Sequence, residues 1–161
     1  MGRIRADQLS EPELITLESF DGLKFDVLLY KPQGFDPSKK YPAIMNIHGG
    51  PNTGHWIYQV QPWQQFIVQQ GYVMICPNPR GSGGYGRRFA EMSRGRWGED
   101  DFKDLLAADD YLRRLPYVDP AKVGIWGGSY GGFLSYQLVT REPTRFRASV
   151  VRAGLENMVL Q

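Results

Sequence analysis

Cysteine and histidine are nearly missing from this chain, which has one cysteine, Cys76, and two histidines, His48 and His55, in 161 residues. A single thiol excludes an intrachain disulfide framework, and Cys76, inside an apolar run, reads as a buried small hydrophobe rather than a nucleophile. Two histidines and one cysteine at no ligand spacing cannot form a closed metal set, so neither metal nor cofactor is expected. No run reaches the ~18–20 apolar residues of a membrane span, and Met1 to Asp7 hold no apolar signal core. Gly2 would suit a myristoylated start, but Ala6 stands where that pattern needs Ser or Thr. These absences predict a soluble, cytoplasmic protein. An excess of charge of one sign is also lacking. Nineteen basic against seventeen acidic residues leave +2, which argues against nucleic acid and against a membrane as partner. Arg87, Arg88, Arg94 and Arg96 alternate with Glu91, Glu99 and Asp100, so they read as a solvated face rather than a basic patch.

What is present is a regular succession of strand and helix signals. The length fits one domain, residues 1–161, with a polar lead-in over 1–12. Leu14 to Phe20 and Leu23 to Tyr30 are apolar-rich runs joined by Asp21-Gly22, a strong hairpin signal. In the second run Leu23, Phe25, Val27 and Leu29 alternate with Lys24 and Asp26, which predicts one buried face. Pro42 to Ile47 and Tyr72 to Cys76 are apolar without alternation, as expected of strands covered on both faces. Trp56, Val60, Trp63 and Ile67 fall at helical spacing and predict a helix up to Gln70, with Pro62 near its first turn and Gly71 as its stop. A second helix over about 100–115 carries Phe102, Leu105, Ala108, Leu112 and Leu115 on one stripe. A third follows Ser129 and ends before Pro143, and Ala148 to Val151 reads as a further buried strand. Strands alternating with helices after an antiparallel start predict an α/β fold, a mainly parallel sheet with helices on both faces. Ligands bind such sheets beyond the carboxyl ends of the strands, where His48, Arg80 and Ser129 fall.

Val123, Ile125 and Trp126 lead into Gly127-Gly128-Ser129-Tyr130-Gly131-Gly132. Gly127-x-Ser129-x-Gly131 is the pattern of a nucleophile elbow, a strained strand-to-helix turn that tolerates close backbone approach only where the flanking residues lack a Cβ. A plain tight connection is the competing reading. Gly81-x-Gly83-x-x-Gly86 matches the dinucleotide fingerprint by letter, but Pro77 and Pro79 separate it from the preceding strand, which argues against a nucleotide site.

Four stretches, in this order, resemble the α/β-hydrolase domain of the prolyl oligopeptidase family of serine peptidases, especially its acylaminoacyl-peptidase and dipeptidyl-peptidase-like members. They are His48-Gly49-Gly50-Pro51, Asn78 to Gly86, Trp97-Gly98-x-x-Asp101-x-x-Asp104, and Gly127 to Gly132. The resemblance covers residues 13–155 and implies a three-layer α/β-hydrolase sandwich ending after about six strands, roughly two thirds of the domain, without the family's β-propeller. It makes Ser129 the nucleophile and Tyr130 N–H one oxyanion donor. A second donor would come from the His48-Gly49-Gly50 loop, most directly at Gly50. His48 would supply a side-chain donor or anchor the loop. Fixed N–H donors suit acyl transfer because negative charge builds on the carbonyl oxygen.

The triad of this fold runs Ser, then Asp or Glu, then His. Residues 130–161 hold no histidine, and Glu142 and Glu156 are their only carboxylates. His48 and His55 are thus the only internal candidates for a base. Two functions follow. One is a serine hydrolase acting on small esters, amides or short peptides, with the base supplied from elsewhere. The other is a catalytically impaired form that self-associates or binds without turnover. The resemblance implies a further parallel strand beside Ala148 to Val151, so an open sheet edge at Val150 and Val151 is expected, which, with Leu155, Met158, Val159 and Leu160 on one helical face, predicts a homodimer.

Overall fold

A computed structural model of the chain describes residues 9–154. Its six strands are β1 (Glu13–Glu18), β2 (Lys24–Tyr30), β3 (Tyr41–Ile47), β4 (Val73–Pro77), β5 (Val118–Gly128) and β6 (Ala148–Arg152). They form one mixed sheet in the order β1-β2-β4-β3-β5-β6. β1 and β2 are antiparallel, β2 meets β4 antiparallel, and the β4-β3-β5-β6 run is parallel. This is the α/β sheet that the strand and helix signals predict.

The β1–β2 connection is wider than a two-residue turn. Glu18 pairs with Lys24, and residues 19–23 form the loop, closed by Ser19 N–H to Leu23 O at 2.8 Å, with Gly22 at φ 82°. Its Asp21 carboxylate is engaged by Arg80, 59 residues away, so tertiary contacts as well as local turn preference shape it.

The main core lies between the sheet and helices α3 (Asp100–Arg114) and α4 (Tyr130–Arg141). Phe25, Val27 and Leu29 of β2 face it, together with Met45, Ile47, Ile75 and Ile125. Phe102, Leu105, Ala108 and Leu112 of α3 meet them as the stripe predicts. A second cluster, Leu28, Tyr30, Val68, Met74 and Cys76, fills the opposite face under helix α1 (Pro62–Gln69). The carboxyl half of β2 is therefore buried on both sides, although its opening alternation predicts a single buried face. Asp26 is only partly covered.

α1 keeps Pro62 in its first turn as expected, while Trp56 and Val60, part of the helical spacing, fall before it. Pro62 is its first residue, and Gln61 before it is extended at φ −101°, ψ 111°. A residue preceding proline is pushed out of the α region, while proline itself suits a first helical turn. Trp56 is left in the loop, tied by its indole N–H to Asn46 O at 3.0 Å and by its backbone N–H to Asn78 Oδ1 at 2.6 Å. A single turn, α2 (Arg87–Ala90), forms where the sequence shows no periodicity. α3 and α4 end within a residue or two of the expected positions. Leu155, Met158, Val159 and Leu160 lie outside the described residues. No helix among the described residues is long and apolar enough to cross a membrane.

Candidate active site

β5 runs into α4 with one residue between them, Ser129. Its backbone sits at φ 55°, ψ −120°, a region that non-glycine residues occupy at a cost of about 1–3 kcal/mol. The neighbouring backbones explain the glycines around it. A Cβ on Gly127 would stand 2.1 Å from Gly131 O, and one on Gly131 would stand 2.1 Å from Ile47 O. Packing therefore excludes every side chain at these two positions, and β3 is brought directly beneath the turn. Ser129 N–H donates to Arg152 O at 3.0 Å, and Ser129 O accepts Phe133 N–H at 3.0 Å. The turn is thus held from both sides while the serine side chain stays exposed. Tyr130 is the first residue of α4, so its N–H has no acceptor within the helix.

The His48–Gly50 loop, at the end of β3, lies against this turn. A Cβ placed on Gly49 would be 3.3 Å from Ser129 Cβ and 3.8 Å from Ser129 Oγ. His48 is buried, with Nδ1 2.7 Å from Gly49 O and Nε2 2.9 Å from Ser82 Oγ. Ser82 Oγ also stands 2.6 Å from Pro79 O. The two ring nitrogens face Gly49 O and Ser82 Oγ, and neither is hydrogen-bonded to Ser129 Oγ. Burial pushes the imidazole pKa from 6.5 down to about 4. His55 packs elsewhere, with its ring carbon Cδ2 3.1 Å from where a Cβ on Gly84 would stand.

A cavity of about 460 Å³ opens beside Ser129, with His48, Gly49, Trp56, Trp63, Trp126 and Arg152 among its walls. Gly50 is not among them. It adopts φ 134°.

Groups to which sequence reasoning assigned no role hold this arrangement. Asp104 is fully buried and accepts Arg80 Nε at 2.9 Å, Arg80 Nη2 at 2.8 Å, the Arg80 backbone N–H at 2.8 Å and the Ser19 hydroxyl. Arg80 also reaches both oxygens of Asp21, at 2.8 and 2.9 Å. Its hydrogen bonds to Asp21 hold that carboxyl down at a pKa of about 2. The loop that carries Ser82 to His48 is therefore fastened to α3 and to the hairpin. Asp101, one turn before Asp104, accepts Gly98 N–H and Phe102 N–H, each at 2.9 Å, and the Tyr130 hydroxyl. Burial pushes both the Asp101 carboxyl and the Tyr130 phenol up, and the phenol donates to the carboxyl. The three-residue spacing of Asp101 and Asp104 puts both on one helix face, which was the available signal. Among the described residues no His, Cys, Asp or Glu cluster has the arrangement of a metal site.

The sequence profile of the prolyl oligopeptidase family matches residues 58–161. An uncharacterized peptidase, YuxL, of Bacillus subtilis is 36% identical over 159 residues, covering 97% of this chain and 24% of that protein. Dipeptidyl-peptidase 5 of Porphyromonas gingivalis is 36% identical over 146 residues, covering 90% and 21%. The acylaminoacyl peptidase of Pyrococcus horikoshii superposes with a TM-score of 0.83 at 32% identity, over 91% of this chain and 24% of that one. A puromycin-hydrolyzing peptidase of Mycobacterium tuberculosis superposes at 0.88 with 27% identity, over 98% and 25%. The chain thus spans about a quarter or less of the length of these relatives.

Proposed function

The chain belongs to the prolyl oligopeptidase family, and on that premise we propose that it is a serine hydrolase whose nucleophile is Ser129, acting by acyl transfer on small esters, amides or short peptides. The observation that carries this reading is the left-handed backbone of Ser129 at the β5–α4 junction, its hydroxyl exposed beside the Gly49 loop. In this reading Tyr130 N–H and the backbone N–H groups of the His48-Gly49-Gly50 loop stabilise the oxyanion. Loss of one such donor typically costs ~10²–10³ in turnover. His48 anchors the loop instead of serving as base.

A second reading is favoured by that same histidine. His48 is the only histidine lining the cavity among the described residues, its nitrogens are engaged, and burial keeps it neutral. The chain then keeps the elbow but binds substrate without efficient turnover. A fluorophosphonate probe with p-nitrophenyl acetate as reporter separates the two. A hydrolase labels at Ser129 and turns over the activated ester, and Ser129→Ala loses both. Absence of labelling favours the binding reading, and full ester turnover in Ser129→Ala would refute Ser129 as nucleophile.

We further propose a two-fold dimer through β6. No strand pairs with the outer side of β6 among the described residues, and Val150 is exposed.

A further inference from the structure

Three of the four tryptophans in the sequence, Trp56, Trp63 and Trp126, line the one cavity that Ser129 borders among those of the described residues. Trp63 and Trp126 stack at 5.2 Å between ring centroids with 20° between planes, and Trp56 meets Trp63 at 6.2 Å. His48 closes the row against Trp56 at 6.0 Å. These indoles come from a loop, a helix and a strand, and each is only partly buried. The Trp56 N–H is already satisfied by Asn46 O, so what that ring offers the cavity is its apolar surface. An aromatic row left uncovered is a stacking surface, and an aromatic pair adds attraction beyond the area it buries. A volume of about 460 Å³ suits a group the size of an aromatic amino acid with its flanking peptide units.

Charge narrows the occupant. Among the described residues no carboxylate lines the cavity, and Arg152 is its only side chain with a fixed charge. Arg152 is exposed and makes no ion pair among the described residues. Its backbone carbonyl holds Ser129 N–H, which places the residue beside the elbow. A guanidinium presents paired donors to a carboxylate and has nothing to offer an ammonium group.

We infer that the Trp56–Trp63–Trp126 row and Arg152 form a subsite for an aromatic residue bearing a free carboxylate, as at the carboxyl end of a short peptide. The inference rests on Ser129 as the reacting centre only for the orientation of a substrate. The binding itself does not require it, and the test is built on that separation.

The experiment titrates Ser129→Ala protein, which cannot turn over, with N-acetyl-phenylalanine, its amide, and N-acetyl-alanine. The indole N–H signals of the four tryptophans are followed by NMR. The expected result is movement of the Trp56, Trp63 and Trp126 signals with Trp97 unmoved. The acid should bind about fivefold tighter than the amide, and N-acetyl-alanine should bind weakest, as expected of one solvent-facing charged contact added to stacking. Arg152→Gln, a change at an exposed side chain, should erase the difference between acid and amide while leaving amide binding in place. Trp63→Leu should weaken both. Equal binding of acid and amide, or a response confined to Trp97, overturns the inference. Failure of Ser129 to label with fluorophosphonate would count against the nucleophile alone.

Discussion

His48 couples the candidate site to pH through its burial. An unfolded histidine titrates near 6.5, and the folded ring near 4, so the unfolded chain binds the extra proton between those values. Stability from this residue is complete above about pH 6.5 and falls as the pH drops through that window, by roughly 3 kcal/mol in all at 1.36 kcal/mol per unit. His48→Gln removes the titration and keeps a donor of similar reach toward Ser82. Urea denaturation at pH 7 and pH 4.5 is expected to show the wild type losing about 2 kcal/mol more than the variant on acidification. Equal losses would mean that the ring does not need to stay neutral. A pH–rate profile gives the matching check on function, because an inflection near neutral pH present in wild type and absent from His48→Gln would make His48 the base.

Among the elements, the β5–α4 junction carries a conflict between stability and function. Ser129 occupies a backbone region suited to glycine, while the glycines at 127 and 131 are required because a Cβ on either would stand 2.1 Å from a backbone oxygen. Ser129→Gly relieves the strain and Ser129→Ala does not, so the glycine variant is expected to be about 1 kcal/mol more stable than the alanine variant by thermal or urea unfolding. Both lose the hydroxyl. An alanine variant as stable as the glycine variant would show that the turn is unstrained. Gly131 shows how far a local pattern can be read. Its spacing from Ser129 marks the elbow, but the atom that forbids a side chain there is Ile47 O of a neighbouring strand.

Across the whole molecule the two sheet faces are unequally covered. Among the described residues α3 and α4 cover one side, while α1 covers the β2–β4 end of the other and meets β5 through the Trp63–Trp126 stack. Ile44, Trp126 and Val150 are left lining an apolar cavity of about 490 Å³ on the uncovered part. Val150 is 49% exposed on β6, opposite Trp126 of β5. The proposed dimer would cover this surface, and a specific interface of this kind buries more than about 1,000 Å² in total. Light scattering at micromolar concentration is expected to give twice the chain mass, and Val150→Lys to give monomer or aggregate. A soluble wild-type monomer with a well-dispersed NMR spectrum would rule the dimer out.

The sequence by itself determined the features whose physics is local. The elbow glycines, the apolar runs of β3 and β4, the stripe of α3 and the proline that closes α4 each follow from backbone sterics or periodicity within a few residues. The start of α1 at Pro62 follows from the same sterics, whereas the periodic Trp56 lies outside the helix because tertiary hydrogen bonds hold it in the loop. The sheet order decided the rest, because β4-β3-β5 brings together residues that are far apart in the chain. It sets Ser82 on His48 across 34 residues, Asp101 on Tyr130 across 29, and Arg80 between Asp21 and Asp104. It also gathers Trp56, Trp63 and Trp126, spread over 71 sequence positions from 56 to 126, around one cavity. A hydrogen bond or a ring contact depends on position in space. No periodicity encodes these partners, and only the folded sheet supplies them.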